Sequence, residues 1–195
     1  IRLDSEALMP MTRFPSGSKV FVGSTMELFG DWVKPEWLEI IFDHIRYRHD
    51  VTFIFLTKRP ENLIKWSPFP DNCWVGVSVT RDGIGDSSAG AIPCLEDIQA
   101  KVKFVSFEPL LESVRFDYYT DLVDWVIVGA QTPYSPKTAP KIEWIVEIAE
   151  SATRANIPLF LKANLDPLVH HEWQDNVYAK LLRTPSGRLR QEFPS

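Results

Sequence analysis

Six short runs of apolar and β-branched residues recur along the chain, and polar or small residues follow each of them. The most regular run is Val51–Leu56, which is followed at once by Thr57, Lys58 and Arg59. An unbroken run of this kind is typical of a strand buried on both faces, as in a parallel sheet. The pattern predicts six strands, at Lys19–Ser24, Val51–Leu56, Cys73–Val79, Val102–Glu108, Asp124–Gly129 and Pro158–Leu161. Gly76 within the third run indicates a close approach of another group to the backbone.

The segments between these runs carry helical periodicity or turn residues. The pattern predicts a helix that opens at Pro35, a short helix at Pro60, another over Ile92–Ala100, and a strong helix from Ile142 that stops at Asn156. Beyond the sixth strand, the sequence predicts a helix near Leu168–Asn176 and a small hairpin at Leu181–Gln191.

The alternation of strands and connecting segments predicts an α/β fold. We expect a partial TIM-type (β/α) barrel with six parallel strands over residues 1–164, and a C-terminal extension, residues 165–195, packed on it. An open doubly wound sheet fits the same pattern. The barrel is favoured because every strand reads as buried, including the candidates for sheet edges.

Composition narrows the class of protein. With 45% hydrophobic residues, seven Trp and twelve Phe, the chain has enough apolar material for a folded core. The net charge of −5 excludes a global basic field for nucleic acid but leaves room for a local basic patch. Two cysteines give no disulfide framework and favour a reducing, cytoplasmic location, and no apolar run predicts a membrane span or signal peptide. Because the chain opens at Ile1 rather than Met, we expect an upstream segment.

Charged residues follow several of the predicted strands. In a parallel barrel all carboxyl ends of strands open on one face, so Lys58, Arg59, Glu108 and Lys162 are expected to share one polar mouth. Glu108 is the principal candidate, because a carboxylate at the end of a buried strand is costly unless it is paired or bound to something. The alternative explanation for Glu108 is a purely structural salt bridge to one of the three cations. The same mouth is expected to include four polar side chains that follow or end strands, namely Ser24, Ser78, Ser106 and Gln131.

Other candidate chemistry is weak. His170-His171-Glu172 lacks the spacing of a metal site, because adjacent helical residues diverge. Cys73 and Cys94 lack the partners of a zinc site. Gly83-Ile84-Gly85 has no third spaced glycine and predicts a mobile loop rather than a phosphate cradle, and no serine-hydrolase elbow is present. We therefore predict no metal site in this chain, and the catalytic residues stay unknown.

Five motifs in order resemble one family over nearly the whole chain. They are Phe21-Val22-Gly23-Ser24 with Glu27-Leu28-Phe29, Leu56-Thr57-Lys58-Arg59-Pro60, Trp74-Val75-Gly76-Val77-Ser78-Val79, Ser106-Phe107-Glu108-Pro109-Leu110-Leu111 and Asp124-Trp125-Val126-Ile127-Val128-Gly129. The family is uncharacterised and phage-associated, and it is similar to the radical S-adenosylmethionine (SAM) barrels.

This resemblance implies a cofactor that the chain alone does not complete. Family members carry a three-cysteine motif upstream of the matched region, and three thiolates hold a [4Fe–4S] cluster that leaves one iron for SAM. Ile1–Ser195 has no such motif, so the resemblance places the cluster segment before Ile1. Family members usually have Gly-Gly-Glu after the fifth strand, where this chain has Gly129-Ala130-Gln131, and an arginine before Ile92-Pro93, where it has Ala91. Both departures change positions that the resemblance assigns to substrate or cofactor contacts.

Three functional hypotheses remain open from the sequence. In the first, a radical-SAM-like protein binds SAM beside Ser24, Ser78, Glu108 and Gln131, and an anionic substrate, a nucleotide or nucleic acid, meets Lys58, Arg59 and Lys162. In the second, the same mouth holds a phosphorylated ligand without catalysis. In the third, exposed aromatic residues form a surface for a protein partner.

Overall fold

The sheet of the protein contains six parallel strands that pair in the order in which they occur along the chain. A computed structural model describes residues 14–84, 88–133, 135–171 and 178–195. The strands are β1 (Lys19–Phe21), β2 (Thr52–Thr57), β3 (Cys73–Val79), β4 (Val102–Phe107), β5 (Trp125–Val128) and β6 (Leu159–Leu161). Each strand pairs in parallel with the next, from β1 to β6. The predicted parallel order is confirmed, and the sheet forms a half-barrel.

Helices connect the strands. The α-helices are α1 (Pro35–Tyr47), α2 (Ile142–Arg154), α3 (Asp166–His171) and α4 (Ala179–Leu182), and 3₁₀ helices span Pro60–Trp66, Ala89–Leu95, Phe116–Leu122 and Ala163–Leu165. α1 begins at the predicted proline. After α2, Asn156 adopts the left-handed conformation, with φ of 57°, which confirms it as the helix stop. The helix expected over Ile92–Ala100 is instead the 3₁₀ helix Ala89–Leu95, in which Pro93 removes a backbone donor.

The two faces of the sheet bury separate clusters. Phe53 and Phe55 of β2 belong to the main core, which they share with α1 and α2 on the outer face. Ile54, the residue between them, points to the inner face and packs in a smaller cluster with Trp74, Phe104 and Trp125. Both faces of the central strands are therefore apolar, which is why the sequence shows unbroken rather than alternating runs.

The first strand departs from the prediction. The expected strand Lys19–Ser24 is only three residues long, and its two inner-facing residues, Lys19 and Phe21, are exposed. Phe21 keeps 44% of its surface accessible. The argument that every strand is buried was therefore wrong for β1. Among the described residues β1 pairs only with β2, so the sheet is open at this edge.

The C-terminal segment lies along the other edge. Gln191 forms an antiparallel bridge with Phe160 of β6, and the Leu161 N–H donates to the Arg190 carbonyl (2.8 Å). The predicted hairpin at Leu181–Gln191 is confirmed by the antiparallel bridge between Arg183 and Leu189. The predicted helix near Leu168–Asn176 overlaps α3, and its part beyond residue 171 lies outside the described residues. The domain boundary after residue 164 stays a prediction.

Within the described ranges, no helix is both long and apolar enough to cross a membrane.

An ion pair near the amino end of β2 predicts how stability depends on pH. Arg48 donates to both carboxylate oxygens of Asp50 (2.8 and 3.0 Å), and this lowers the pKa of Asp50 to about 2. Because the folded-state pKa lies below the ordinary value of 3.8, the stabilisation is complete above about pH 4 and is lost as the pH falls through 2. Urea unfolding should therefore show Asp50→Asn less stable than wild type at pH 5, with the difference shrinking at pH 2.5.

The control for this prediction is Asp43→Asn, which removes an exposed ion pair with Arg46. That variant should stay close to wild type at both pH values. A difference between Asp50→Asn and wild type that is equally large at pH 2.5 would contradict the assignment.

Candidate functional site

The register of the sheet brings polar residues of distant segments to one level of the inner face. Ser78 of β3 lies opposite Ser106 of β4, and Ser106 lies opposite Ile127 of β5. Thr57 pairs with Val77, so the next residue, Lys58, lies level with Ser78 at the carboxyl end of β2. We call this carboxyl end of the inner face the mouth, defined by Lys58, Ser78, Ser106, Glu108 and Lys162.

One ion pair crosses the mouth. The Lys162 Nζ lies 2.6 Å from the Glu108 Oε1, and the two side chains are 43% and 25% exposed. The pair passes over Gly129, where an added Cβ would lie 3.0 Å from the Glu108 Oε1 and 3.1 Å from the Lys162 Cδ. A salt bridge to one of the three cations was the alternative explanation for Glu108, and Lys162 provides it. A glycine at position 129 lets the two side chains lie against the backbone of β5.

Lys58 presents the second cation of the mouth. Its side chain is exposed, and alternation along β2 places it on the same face as Ile54 and Leu56. Within the described part of the chain, no carboxylate lies at ion-pair distance from its ammonium group. The charge of Lys58 is thus open to an anion, while that of Lys162 is balanced by Glu108.

Arg59 does not join this group. Its guanidinium contacts Asp31 (Nη2 to Oδ2, 2.5 Å) and Glu61 (Nε to Oε1, 2.9 Å) in the neighbouring loops. Hydrogen bonds from Asn62 and then Arg59 lower the pKa of Asp31. Of the three cations predicted around Glu108, Lys162 is in contact with it. Lys58 lies at the same edge of the sheet without contacting it. A role for Arg59 in substrate binding stays a prediction.

Two buried polar atoms on the inner face lack hydrogen-bond partners among the described residues. They are the Oγ of Ser106, a residue that is 1% exposed, and the Nε1 of Trp74, a residue that is 4% exposed. Buried donors without partners are rare in folded proteins, because each costs about 1–3 kcal/mol. Ser106 lies two residues before Glu108 on the same face, so its hydroxyl is directed into the inner side of the mouth. The two-residue spacing from Glu108 made Ser106 a candidate in the sequence. Trp74 was missed, because a tryptophan within an apolar run is typical of an ordinary buried strand residue.

The remaining predicted residues lie on the rim. Ser24 and Gln131 follow β1 and β5 and are exposed. Beside Gln131, the Asn164 side chain accepts from the Ala130 N–H (3.1 Å) and donates to the Ala130 carbonyl (2.8 Å). Asn164 thereby ties the end of β5 to the segment after β6. The sequence analysis did not predict this contact, although an Asn at a strand end is a usual signal for such backbone pairing.

An aromatic cluster fills the inner face below the mouth. The ring centroids of Trp74 and Trp125 are 5.5 Å apart, and those of Phe104 and Trp125 are 5.4 Å apart. Phe104 lies over Gly76, where a Cβ would come within 2.5 Å of the ring, which confirms the predicted close approach. The mouth is therefore a polar layer above an apolar floor, an arrangement that is common in small-molecule sites.

Open clefts also occur at the opposite, amino edge of the sheet, where Lys101 borders them. Some charged groups there bind one another, as in the pairs Arg48–Asp50 and Arg190–Glu192, whereas Lys101 is exposed and forms no ion pair among the described residues. The mouth differs because it combines the open charge of Lys58 with the unpartnered hydroxyl of Ser106.

The cysteines do not form a site. Cys73 is buried against the main core, and burial raises the pKa of its thiol to about 12. Burial also raises the pKa of Cys94. Over the described ranges, no group of three or more His, Cys, Asp or Glu side chains is arranged to hold a metal ion. Glu172 of the His170-His171-Glu172 sequence lies outside these ranges.

A family model described as "Protein of unknown function (DUF5131)" matches residues 1–191. No curated protein and no solved structure matches the chain.

Proposed function

The chain belongs to the DUF5131 family, and we propose that its mouth binds a small ligand that carries an anionic group. A nucleotide is the class of ligand that fits this site. The observation that carries this proposal is the hydroxyl of Ser106, buried and without a partner, in the same polar layer as Lys58. An anion at the mouth would accept from this hydroxyl and from the Lys58 ammonium. The aromatic floor below favours a ligand with an apolar or planar part.

The resemblance to radical SAM barrels adds a finer proposal. SAM has an amino group, a carboxylate and ribose hydroxyls, and the mouth offers a carboxylate acceptor in Glu108 and hydroxyls in Ser78 and Ser106. These donors and acceptors fit SAM, and Ser24 and Gln131 would border it from the rim. We accordingly propose a phage-associated, radical-SAM-like role in the cytoplasm, with a nucleotide or nucleic acid as substrate.

The residues do not fit the iron–sulfur cluster that the same resemblance implies. A [4Fe–4S] centre needs three thiolates, and the sequence holds two cysteines, of which Cys73 is buried on the outer side of β3. We derive no step through such a cluster. Binding of the anionic ligand depends only on residues of Ile1–Ser195, so it can be measured on this chain without the cluster.

Titration calorimetry with inorganic phosphate, AMP and SAM tests the proposed site. Lys58→Ala should weaken phosphate and AMP binding about fivefold, because an exposed charge contributes on the order of 1 kcal/mol. The binding should also weaken as salt is raised, since the attraction is partly Coulombic.

The matched control is Lys101→Ala, which makes the same charge change at an exposed position on the amino edge. Phosphate affinity should be unchanged in this variant. Equal loss in the two variants, or loss in Lys101→Ala alone, would place the anion elsewhere and end the proposal.

A further inference from the structure

The Glu27 carboxylate accepts three hydrogen bonds, two of which come from residues at the end of β2. Its Oε2 accepts from the Lys58 backbone N–H (2.8 Å), and its Oε1 accepts from the Thr57 hydroxyl (2.6 Å) and the Phe29 N–H (3.1 Å). The Thr57 hydroxyl in turn accepts from the Arg59 N–H (2.8 Å). A single carboxylate in the loop after β1 thus fixes the residues at which β2 ends.

The position of Lys58 depends on these contacts. Lys58 is the first residue beyond β2, where sheet hydrogen bonds no longer define the backbone. Its N–H donates to Glu27, and this bond fixes the direction in which the Lys58 side chain leaves the chain. Because Thr57 is 1% exposed and bound to the same carboxylate, the contact is anchored on its buried side.

We infer that Glu27 is the positioning residue of the anion site, which it serves by holding Lys58 at the mouth. This inference rests on the proposed function. The described contacts of the carboxylate are two backbone N–H groups and one hydroxyl, so it would act through Lys58 rather than on the ligand. The ionised form suits this role, since all three partners are donors.

The same loop has a second attachment, which provides a control. Asn62 donates to the Phe29 carbonyl (2.7 Å) and to the Asp31 Oδ1 (3.0 Å), and it is 4% exposed. None of its hydrogen bonds involves Lys58. Asn62→Ala therefore loosens the loop without touching the Lys58 N–H, whereas Glu27→Gln keeps the shape of the side chain and removes its charge.

The experiment compares wild type, Glu27→Gln, Asn62→Ala and Lys58→Ala by calorimetry with inorganic phosphate, and by amide hydrogen exchange at Lys58. Glu27→Gln should speed exchange of the Lys58 amide about tenfold, because a bond to a charged acceptor is replaced by a weaker one. It should also weaken phosphate binding about threefold, because the attraction lost when Lys58 leaves its position exceeds the repulsion relieved by removing the Glu27 charge. Asn62→Ala should lower the unfolding temperature at least as much as Glu27→Gln does. It should change neither the phosphate affinity nor the exchange rate of the Lys58 amide.

The outcomes separate this inference from the proposed function. If wild type binds no phosphate, both are overturned. If Lys58→Ala weakens binding but Glu27→Gln leaves affinity and amide exchange unchanged, only the positioning role fails. Equal weakening by Glu27→Gln and Asn62→Ala would also overturn it, since Glu27 would then act only by fastening the loop.

Discussion

Phe104→Ala is expected to lower the free energy of unfolding by about 3–5 kcal/mol, the usual range for a fully buried phenylalanine. The Phe104 ring has no exposed surface, lies over Gly76 and contacts the ring of Trp125. These neighbours belong to the two flanking strands, β3 and β5, so they cannot close the cavity without shifting the sheet. Urea unfolding monitored by tryptophan fluorescence measures the loss.

Phe193→Ala is the matched control for this change. The Phe193 ring contacts the same Trp125, with centroids 5.3 Å apart, but keeps 45% of its surface exposed. Its removal should cost about 1 kcal/mol or less. A loss below 1 kcal/mol for Phe104→Ala would show that the inner face is not a packed core.

Glu108→Gln is expected to tighten the binding of inorganic phosphate about tenfold. In the folded protein the Glu108 carboxylate balances Lys162 at 2.6 Å, so of the two lysines that define the mouth, Lys58 is the one that offers open charge. The amide of Gln keeps the shape but not the charge, and Lys162 then adds its attraction for the anion. Binding should also depend more steeply on salt. Calorimetry at two salt concentrations measures both effects.

SAM should respond in the opposite direction to the same variant. If its amino group binds Glu108, the loss of the carboxylate weakens SAM binding while phosphate binding improves. Glu112→Gln, which removes an exposed carboxylate four residues further on, should change either affinity by less than about twofold. Phosphate affinity that stays equal or falls in Glu108→Gln would contradict the view that Glu108 limits the positive charge of the mouth.

The sequence by itself determined where β2 to β6 lie, the order of the strands and the edge at which polar residues collect. Runs such as Val51–Leu56 have no polar face, and only a sheet covered on both sides buries such a segment. A chain in which each strand is followed by a crossover segment long enough to hold a helix pairs neighbours in parallel, so the carboxyl ends of β2, β4 and β6 meet at one edge. For the same reason Lys58, Glu108 and Lys162 were predictable as residues of one edge.

Only the tertiary structure decided which partners these residues take. Arg59 and Lys58 are adjacent in sequence, yet alternation sends one towards Asp31 and the other to the inner face. Glu108 meets Lys162 rather than Lys58 because the side chains of Glu108 and Lys162 both pass over Gly129. The strand register brings them to this position, and the absence of a Cβ at Gly129 leaves room for them. The exposure of β1 and the roles of Glu27 and Asn164 depend likewise on contacts between segments more than 30 residues apart, which local pattern does not encode.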